Sequence, residues 1–355
     1  MEDLVKSLKE FYNGKSVFVT GHTGFKGTWL TRTLLMLGAK VTGYALDAPT
    51  SPSMFALTDT GVRIQDSRGD IRDLAYLKLV FDSVKPEVVF HFAAQPIVRQ
   101  SYQDPVTTYS TNVMGTVNLM ESIRLSKSVR TVVNVTTDKV YENKEWIWGY
   151  RENENLCGYD PYSNSKSCSE LVTYSYHNAF FLNEGSPSVS TARSGNVIGG
   201  GDFAKDRIIP DSVRAVMNNE QLVVRNPHSI RPYQHVLECL YGYLVLAMFQ
   251  YSEKNLEGAY NFGPNEDGCV TTGMLSDLFF DAWGNGSWKT QGDSGPHEAS
   301  YLRLDCSKAK QNLGWSPRWG IEEAVRRTVE WYKEYVSGND MNLCTDNQIA
   351  SFFGL

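Results

Sequence analysis

Residues 16–27 read SVFVTGHTGFKG, and this stretch decides the fold. Its first five residues are mostly apolar or β-branched, which predicts a short strand. Glycines follow at positions 21, 24 and 27, and apolar residues at helical spacing predict a helix over residues 28–37. Glycines in this place let the backbone turn tightly and approach a pyrophosphate, whose charge the helix N-terminus then faces. A purely structural turn is the alternative. The dinucleotide site predicted here consists of Gly21, Thr23, Gly24, Phe25, Lys26 and Gly27.

Strand patterns alternate with helix patterns through the first half of the chain. Strands are predicted at residues 41–45, 88–92, 131–135 and 188–193, and helices at residues 71–84, 105–126 and 162–178. This alternation implies a parallel sheet covered by helices on both faces. Beyond residue 195 strands and helices no longer alternate regularly. Loops are predicted at residues 199–201 and 225–232, interleaved with helices at residues 211–218 and 236–249.

The sequence therefore predicts an α/β fold with a Rossmann-type, doubly wound parallel sheet. Residues 1–195 form the dinucleotide-binding domain in this prediction. Residues 196–355 mainly form a smaller substrate-binding lobe, with some segments returning to the first domain.

Composition and charge exclude several classes of protein. The 355 residues carry a formal net charge of -6, which argues against non-specific nucleic-acid binding, because that needs a basic face. The longest apolar run, residues 243–249, falls well short of the roughly 20 residues of a membrane-spanning helix, and no signal-peptide pattern is found. Six scattered cysteines without a Cys-x-x-Cys pair favour reduced thiols in the cytoplasm and no metal site.

An acidic residue about 20 positions beyond the glycine loop should hold the ribose hydroxyls of the cofactor. Asp47 has this spacing from Gly27 but follows the predicted strand by two residues, so a solvent-exposed loop aspartate is the alternative. Lys26 could favour a 2′-phosphate, whereas Asp47 favours NAD over NADP. Further cofactor candidates, with a helix N-cap and close helix–sheet packing as the alternatives, are Asp70, Ile71, Ala93 and Ala94.

Two pairs of reactive side chains lie near the middle of the chain. Tyr162 and Lys166 are four residues apart on one predicted helix. A lysine ammonium beside a tyrosine lowers the pKa of the phenol, so that the tyrosinate can act as a base. The strand at residues 131–135 is followed by Thr137, Asp138 and Lys139, at the strand end where such sheets bind ligands. For both pairs, an exposed surface pair is the alternative.

These motifs together resemble the extended short-chain dehydrogenase/reductase family, and the likeness covers nearly the whole chain. It also includes RSGNVIG at residues 193–199 and LGW at residues 313–315. Epimerases of this family tend to have small or hydroxyl residues where sugar 4,6-dehydratases have an acid, usually Asp followed by Glu. This chain has Asp138-Lys139. With TGHTGFKG, AAQPIVRQSY and GNVIGGGDF, that variant is similar to the 4,6-dehydratase group whose substrate is CDP-glucose.

The resemblance implies NAD as the cofactor and dehydration of CDP-glucose to CDP-4-keto-6-deoxyglucose, in deoxysugar biosynthesis of the O-antigen type. It implies that Tyr162 removes the C4 hydroxyl proton while the C4 hydride passes to NAD, that Thr137 binds the C4 oxygen and that Lys166 orients the cofactor ribose. Water then leaves across C5 and C6 with a protonated Asp138 as the acid, and the hydride returns to C6. Lys139 either takes the C5 proton as a neutral amine or stabilises the enolate as a cation.

Substrate-binding candidates are Gln95, Asn196, Arg207 and Arg231. Arginine forks suit a diphosphate, although each arginine could instead form a surface ion pair. Discrimination of cytosine from other bases rests on the resemblance alone. Relatives pair the helices at residues 105–126 and 162–178, which implies a homodimer or homotetramer. Another nucleotide-sugar dehydratase, a 4-epimerase and a non-catalytic NAD(H)-binding regulator remain alternatives.

Overall fold

The computed structural model describes residues 2–290 and 300–355. Its strands are β1 (Ser16–Thr20), β2 (Lys40–Ala45), β3 (Gln65–Arg68), β4 (Val88–His91), β5 (Thr131–Val135), β6 (Ser188–Ser194), β7 (Val197–Ile198), β8 (Leu222–Val224), β9 (Ile230–Pro232), β10 (Gln234–His235), β11 (Ala259–Phe262), β12 (Cys269–Thr271) and β13 (Trp288–Thr290). Its helices are α1 (Glu2–Tyr12), α2 (Phe25–Met36), α3 (Met54–Leu57), α4 (Leu74–Val84), α5 (Val98–Gln103), α6 (Pro105–Tyr109), α7 (Gly115–Leu125), α8 (Pro161–Phe180), α9 (Ile208–Met217), α10 (Val236–Ser252), α11 (Thr272–Trp283), α12 (Ser307–Leu313), α13 (Ile321–Val336) and α14 (Met341–Phe353).

A seven-stranded parallel sheet runs through the centre in the order β11-β6-β5-β4-β1-β2-β3. β1 pairs with β2 on one side and with β4 on the other, so the chain winds outward from β1 in both directions. In such a sheet a crevice opens beyond the carboxyl ends of the strands where the winding reverses, and ligands bind there. The predicted doubly wound parallel sheet is confirmed.

Apolar side chains cover both faces of the sheet. Phe18 of β1 belongs to a buried cluster with Leu77 of α4, on one face. Its neighbour Val19 belongs to the other cluster, with Trp29 of α2 and Leu240 of α10. Because successive side chains of a strand point to opposite faces, this division follows from the period-two geometry of β1.

Several elements differ from the sequence predictions. The helix predicted at residues 71–84 begins only at Leu74, because Asp73 caps it by accepting a hydrogen bond from the Tyr76 amide at 3.0 Å. The helix predicted at residues 105–126 is interrupted by a π-helical turn at Ser110–Met114 between α6 and α7. Strand β3 was not predicted, because its sequence, QDSR, has no apolar residue.

The second half of the chain contributes to the same sheet. β11 pairs in parallel with β6 and forms the edge of the sheet, while α10 packs on one face. The short pairs β7–β10, β8–β13 and β9–β12 lie outside the sheet. The division into two domains at residue 195 stays a prediction. Within the described residues, no helix is both long and apolar enough to cross a membrane.

Candidate active site

A cavity of about 1950 Å³ lies beyond the carboxyl ends of the central strands. The sequence candidates for cofactor binding that line it are Gly21, Thr23, Gly24, Phe25, Lys26, Gly27, Asp47, Asp70, Ile71, Ala93, Ala94, Tyr162 and Lys166. The remaining candidates that line it are Gln95, Thr137, Asp138, Lys139, Asn196, Arg207 and Arg231. Residues from distant parts of the chain therefore meet at one cavity.

The glycine loop between β1 and α2 packs closely against the protein backbone around it. Gly21 has a left-handed φ of 74°, and a Cβ atom there would lie 2.7 Å from the Ala93 amide nitrogen. A Cβ atom on Gly27 would lie 2.1 Å from the Gly21 oxygen. Gly24 is the N-cap of α2 and provides no side-chain cap, so the amides of the first turn are left for a ligand. These residues fit the pyrophosphate of a dinucleotide.

The acidic candidates near the predicted ribose site are both engaged by arginines. The Asp47 side chain is 97% exposed and lies 3.3 Å from an Arg68 nitrogen. The alternative role of Asp70, as the N-cap of a helix, is not observed, because Asp73 caps α4. Instead its carboxylate accepts hydrogen bonds from Arg72, which lowers the pKa of Asp70.

The acid and the base that follow β5 lie in a short turn at the cavity wall. Asp138 is fully buried, and its Oδ1 accepts hydrogen bonds from Thr137 Oγ1 at 3.0 Å and from Lys139 Nζ at 3.1 Å. Its Oδ2 is buried and makes no hydrogen bond within the described residues. Lys139 Nζ also donates to Asn196 Oδ1 at 3.4 Å. We refer to residues 137–140 as the acid–base segment.

Tyr162 and Lys166 are both buried in the first turns of α8, which Asp160 caps. Burial raises the pKa of Tyr162 to about 12, against the opposing effects of the Thr137 hydroxyl and the Arg207 guanidinium. Lys166 Nζ donates to the Val135 carbonyl oxygen at 3.0 Å. The pKa of Tyr162 is thus raised and not lowered as expected, because burial outweighs the effects that lower it. Burial, together with the positive charge of Lys26, lowers the pKa of Lys166 itself to about 8.

The substrate-binding candidates differ in how free their side chains are. Arg207 pairs with Asp202 at 2.8 Å, and Arg231 is buried and donates to the Ile230 carbonyl oxygen at 2.9 Å. The Gln95 side chain donates to Thr108 Oγ1 at 2.9 Å and accepts from the Ile97 amide at 2.7 Å. Gln95 therefore shapes the loop after β4 and has little capacity left for a ligand.

Two arginines that line the cavity were not predicted from the sequence as site residues. Arg99 and Arg225 lie 3.8 Å and 3.3 Å from the same carboxylate oxygen of Asp206. All three residues line the cavity, and Asp206 has a left-handed φ of 62°. Arg99 belongs to the AAQPIVRQSY motif and Arg225 begins a predicted loop, but nothing in the sequence spacing brings them together. Residues 2–290 and 300–355 contain no cluster of three or more His, Cys, Asp or Glu that could hold a metal ion.

Comparisons with known proteins agree with this geometry. A family model described as GDP-mannose 4,6 dehydratase matches residues 18–267. The CDP-glucose 4,6-dehydratase of Salmonella typhimurium is 51% identical over 351 residues, covering 97% of this chain and 98% of that protein.

Solved structures share the whole fold. A dTDP-glucose 4,6-dehydratase from Streptomyces venezuelae, solved with NAD bound, has a TM-score of 0.78 and 25% identity, and the match covers 91% of this chain and 98% of that one. An epimerase from Methanothermobacter thermautotrophicus has a TM-score of 0.80 over 94% of this chain and 96% of that one, and at 22% identity it shows the fold alone. The chain therefore belongs to the GDP-mannose 4,6 dehydratase family, within the extended short-chain dehydrogenase/reductases.

Proposed function

We propose that this enzyme converts CDP-D-glucose to CDP-4-keto-6-deoxy-D-glucose by loss of water. The observation that carries the proposal is the ion pair between buried Asp138 and half-buried Lys139, at the wall of the cavity that Tyr162 and Lys166 also line. The 51% identity to a protein named CDP-glucose 4,6-dehydratase supports the choice of substrate. The product would serve deoxysugar biosynthesis, of the O-antigen type.

The cofactor is NAD, and the glycine loop with the N-terminus of α2 would hold its pyrophosphate. Asp47, Asp70 and Ile71 would contact the adenosine end, and Ala93 and Ala94 would leave room for the flat rings. When bound, the cofactor would supply a hydride acceptor for C4 and a positive charge that favours a tyrosinate in its oxidised form, and a hydride donor for C6 in its reduced form.

Tyr162 would remove the proton of the C4 hydroxyl. Because burial raises the pKa of the phenol to about 12, nearby positive charge must offset this effect before Tyr162 can act as a base. Thr137 would release its hydrogen bond to Asp138 and donate to the C4 oxygen instead. Lys166, fixed by the Val135 carbonyl, would orient the cofactor ribose.

Asp138 and Lys139 would carry out the elimination across C5 and C6. The buried Oδ2 of Asp138 has no hydrogen-bond partner within the described residues, so it can hold a proton and donate it to the departing C6 hydroxyl. Lys139 Nζ donates to the other oxygen of the same carboxyl group at 3.1 Å. As a neutral amine it would remove the C5 proton, and as an ammonium it would stabilise the enolate.

The arginines of the cavity would bind the diphosphate. Arg207 and Arg231 are the candidates from the sequence, and Asn196 also lines the cavity. Arg99 and Arg225 add two further cations, although both now pair with Asp206. A diphosphate carries enough negative charge to compete for several guanidinium groups.

Product analysis tests the proposed reaction. The enzyme would be incubated separately with CDP-glucose, dTDP-glucose, UDP-glucose and GDP-mannose in the presence of NAD, and each product would be weighed by mass spectrometry. We expect loss of one water from CDP-glucose alone, because only dehydration changes the mass.

The other outcomes separate the alternatives. Water loss from a different nucleotide sugar would keep the mechanism and reject CDP-glucose. Isomerisation without a mass change would indicate a 4-epimerase. Bound cofactor without turnover of any of the four sugars would indicate a regulator.

We also propose that the protein is a homodimer or homotetramer and acts in the cytoplasm. Exposed apolar side chains on adjacent helices support self-association, namely Val106 on α6, and Leu171 and Tyr174 on α8. All six cysteines are free, which suits a reducing compartment.

A further inference from the structure

A buried ion pair lies behind the acid–base segment and outside the cavity. Glu170 is on α8, one turn beyond Lys166, and Arg193 is on β6; their side chains are 4% and 3% exposed. Arg193 donates from Nε to Glu170 Oε1 at 2.9 Å and from Nη2 to Oε2 at 2.8 Å. Thr191 completes the set by donating to Oε2 at 2.6 Å. Neither partner of the ion pair lines the cavity, so neither is placed to touch a substrate.

The same ion pair holds the residues on both sides of the acid–base segment. Thr136, immediately before the segment, donates from Oγ1 to Glu170 Oε1 at 2.5 Å. Tyr141, immediately after it, accepts a hydrogen bond from Arg193 Nη1 at 2.8 Å. The Tyr141 hydroxyl in turn donates to Asn261 Oδ1 at 2.7 Å. Thus Thr137, Asp138 and Lys139 lie in a short turn whose two ends are fixed to one charged pair.

Helix α8 ties this arrangement to the other reactive side chains. Ser167 Oγ donates to the Val140 carbonyl oxygen at 2.8 Å, and Lys166 Nζ donates to the Val135 carbonyl oxygen at 3.0 Å. The helix that carries Tyr162 and Lys166 is therefore bonded to the backbone before the acid–base segment and to the last residue of that segment. The relative position of the two reactive groups depends on these bonds.

Stability alone does not account for such a pair. A buried ion pair loses the hydration of two charges, and well-packed apolar residues in its place are often as stable or more so. The ion pair instead fixes orientation. The two hydrogen bonds from Arg193 to Glu170 have defined geometry, and so do the two tethers, the bonds from Thr136 to Glu170 and from Arg193 to Tyr141. Elimination needs an acid and a base held in the correct orientation, since displacing a reacting group by about 1 Å can cost on the order of 100-fold in rate.

We propose that Glu170 and Arg193 are positioning residues that aim Asp138 and Lys139 at the substrate for the elimination step. The inference rests on the proposed dehydration. It predicts that the tethers affect the elimination more than the oxidation at C4, because the acid and the base of the elimination both lie in the tethered turn.

The test uses variants that cut one tether each and leave the ion pair in place. Thr136→Val removes the bond to Glu170, and Tyr141→Phe removes the bond from Arg193 while keeping the ring. For each we expect kcat to fall by about 10- to 100-fold with KM changed less than about threefold. In a single turnover, reduced cofactor should accumulate, and the rate of solvent-deuterium entry at C5 should fall by the same factor as kcat.

Further variants complete the series. Glu170→Gln and Arg193→Lys should show the same signature more strongly, and Thr136→Ser, which keeps the hydroxyl, should restore most of the rate. The matched control is Glu257→Gln, because Glu257 also pairs with α8, through His177 at 2.8 Å, and binds β6, through the Val189 amide at 3.1 Å, but far from the segment. We expect its kinetics to equal those of the wild type.

Two results would overturn the inference while leaving the proposed function standing. One is a wild type that dehydrates CDP-glucose while Thr136→Val and Tyr141→Phe eliminate water at the normal rate. The other is an equal loss in oxidation and elimination, without accumulation of reduced cofactor, which would indicate a general structural role. A failure of the proposed function shows up separately, as a wild type that releases no water from any nucleotide sugar.

Discussion

At the scale of single residues, the site is a set of cations that share a buried volume. Lys166 is buried and Lys26 is half-buried, and desolvation lowers the pKa of each. The positive charge of Lys26 adds to this effect at Lys166, whose pKa lies at about 8. Lys166 is therefore ammonium below about pH 8 and loses its charge as the pH rises through that value.

The first prediction concerns the alkaline limb of the activity profile. Lys26→Met removes a neighbouring positive charge, so the pKa of Lys166 rises and the alkaline fall in kcat moves to higher pH. The measurement is kcat against pH at saturating substrate and NAD, since Lys26 also lies in the cofactor loop. Lys15→Met, which removes a cation paired with Glu87 at the opposite end of β1, should leave the limb in place. An unshifted limb in Lys26→Met would contradict the assignment.

A second prediction tests Lys139 as the base that removes the C5 proton. If Lys139 removes the C5 proton, Lys139→Met should slow the wash-in of solvent deuterium at C5 by about 100-fold or more, the range for general base catalysis. The readout is deuterium at C5 of the recovered sugar. The matched control is Lys144→Met, which removes another lysine of the cavity lining. Exchange at the normal rate would exclude Lys139 as the base.

At this scale the sequence predicts the position of a site residue well where that residue type has one chemical use. Tyr162, Lys166 and Asp138 are located at the cavity because a strand end and a helix start are readable in the sequence. The sequence is a poor guide to Gln95, because its side chain forms local hydrogen bonds that the spacing of residues does not indicate. The Asp206 cluster was missed because its two arginines come from positions far apart in the chain.

At the scale of elements, one carboxyl group fastens α10 to the loop before α13. Glu238 of α10 is buried and accepts hydrogen bonds from the Arg318 amide at 2.9 Å and from the Trp319 amide at 2.6 Å. Burial raises the pKa of Glu238 from 4.5 to about 7. The folded state thus favours the protonated form, and this stability is fully present below pH 4.5 and is lost as the pH rises through about 7.

The third prediction follows from that pKa. Between pH 5 and pH 8 the free energy of unfolding of the wild type should fall relative to that of Glu238→Gln, which cannot ionise, by at most about 3 kcal/mol. Urea unfolding at several pH values measures the difference. Glu220→Gln, at a solvent-exposed position, is the control and should follow the wild type. Parallel pH dependence of Glu238→Gln and the wild type would refute the prediction.

Elements with a strong apolar pattern were predicted to the residue, as β1 and β5 were. β3 was not predicted from the sequence, because it joins the sheet through its backbone while its polar side chains lie at the surface. The π-helical turn at Ser110–Met114 was also unpredicted, since it changes hydrogen bonding without changing the apolar pattern. Backbone pairing leaves no trace in a sequence unless side chains are buried with it.

At the scale of the whole molecule, the exposed apolar side chains of α6 and α8 suit a second copy of the chain. The side chain of Leu171 is 54% exposed and that of Tyr174 is 69% exposed. In a two-fold interface the same patch meets itself, so one introduced charge is repeated across the axis.

The fourth prediction is therefore a change in molecular mass. Leu171→Glu should break the proposed dimer, or the proposed dimers of a tetramer, into smaller species, as measured by light scattering after size-exclusion chromatography. Leu343→Glu alters a leucine on α14 that is similarly exposed, at 60%, and should leave the mass unchanged. A wild type that is monomeric, or a Leu171→Glu variant of unchanged mass, would contradict this interface.

The pairing of β11 with β6 has a consequence for synthesis of the chain on the ribosome. β6 is complete at Ser194, but the strand that covers its outer edge ends only at Phe262. At ordinary elongation rates several seconds separate the two. During that interval the nascent chain exposes a row of unpaired amides and carbonyls, which invites pairing with another unfinished chain. A polypeptide released at residue 195 would keep that edge open, so we expect it to aggregate or to depend on chaperones even though it contains the complete glycine loop and both reactive pairs.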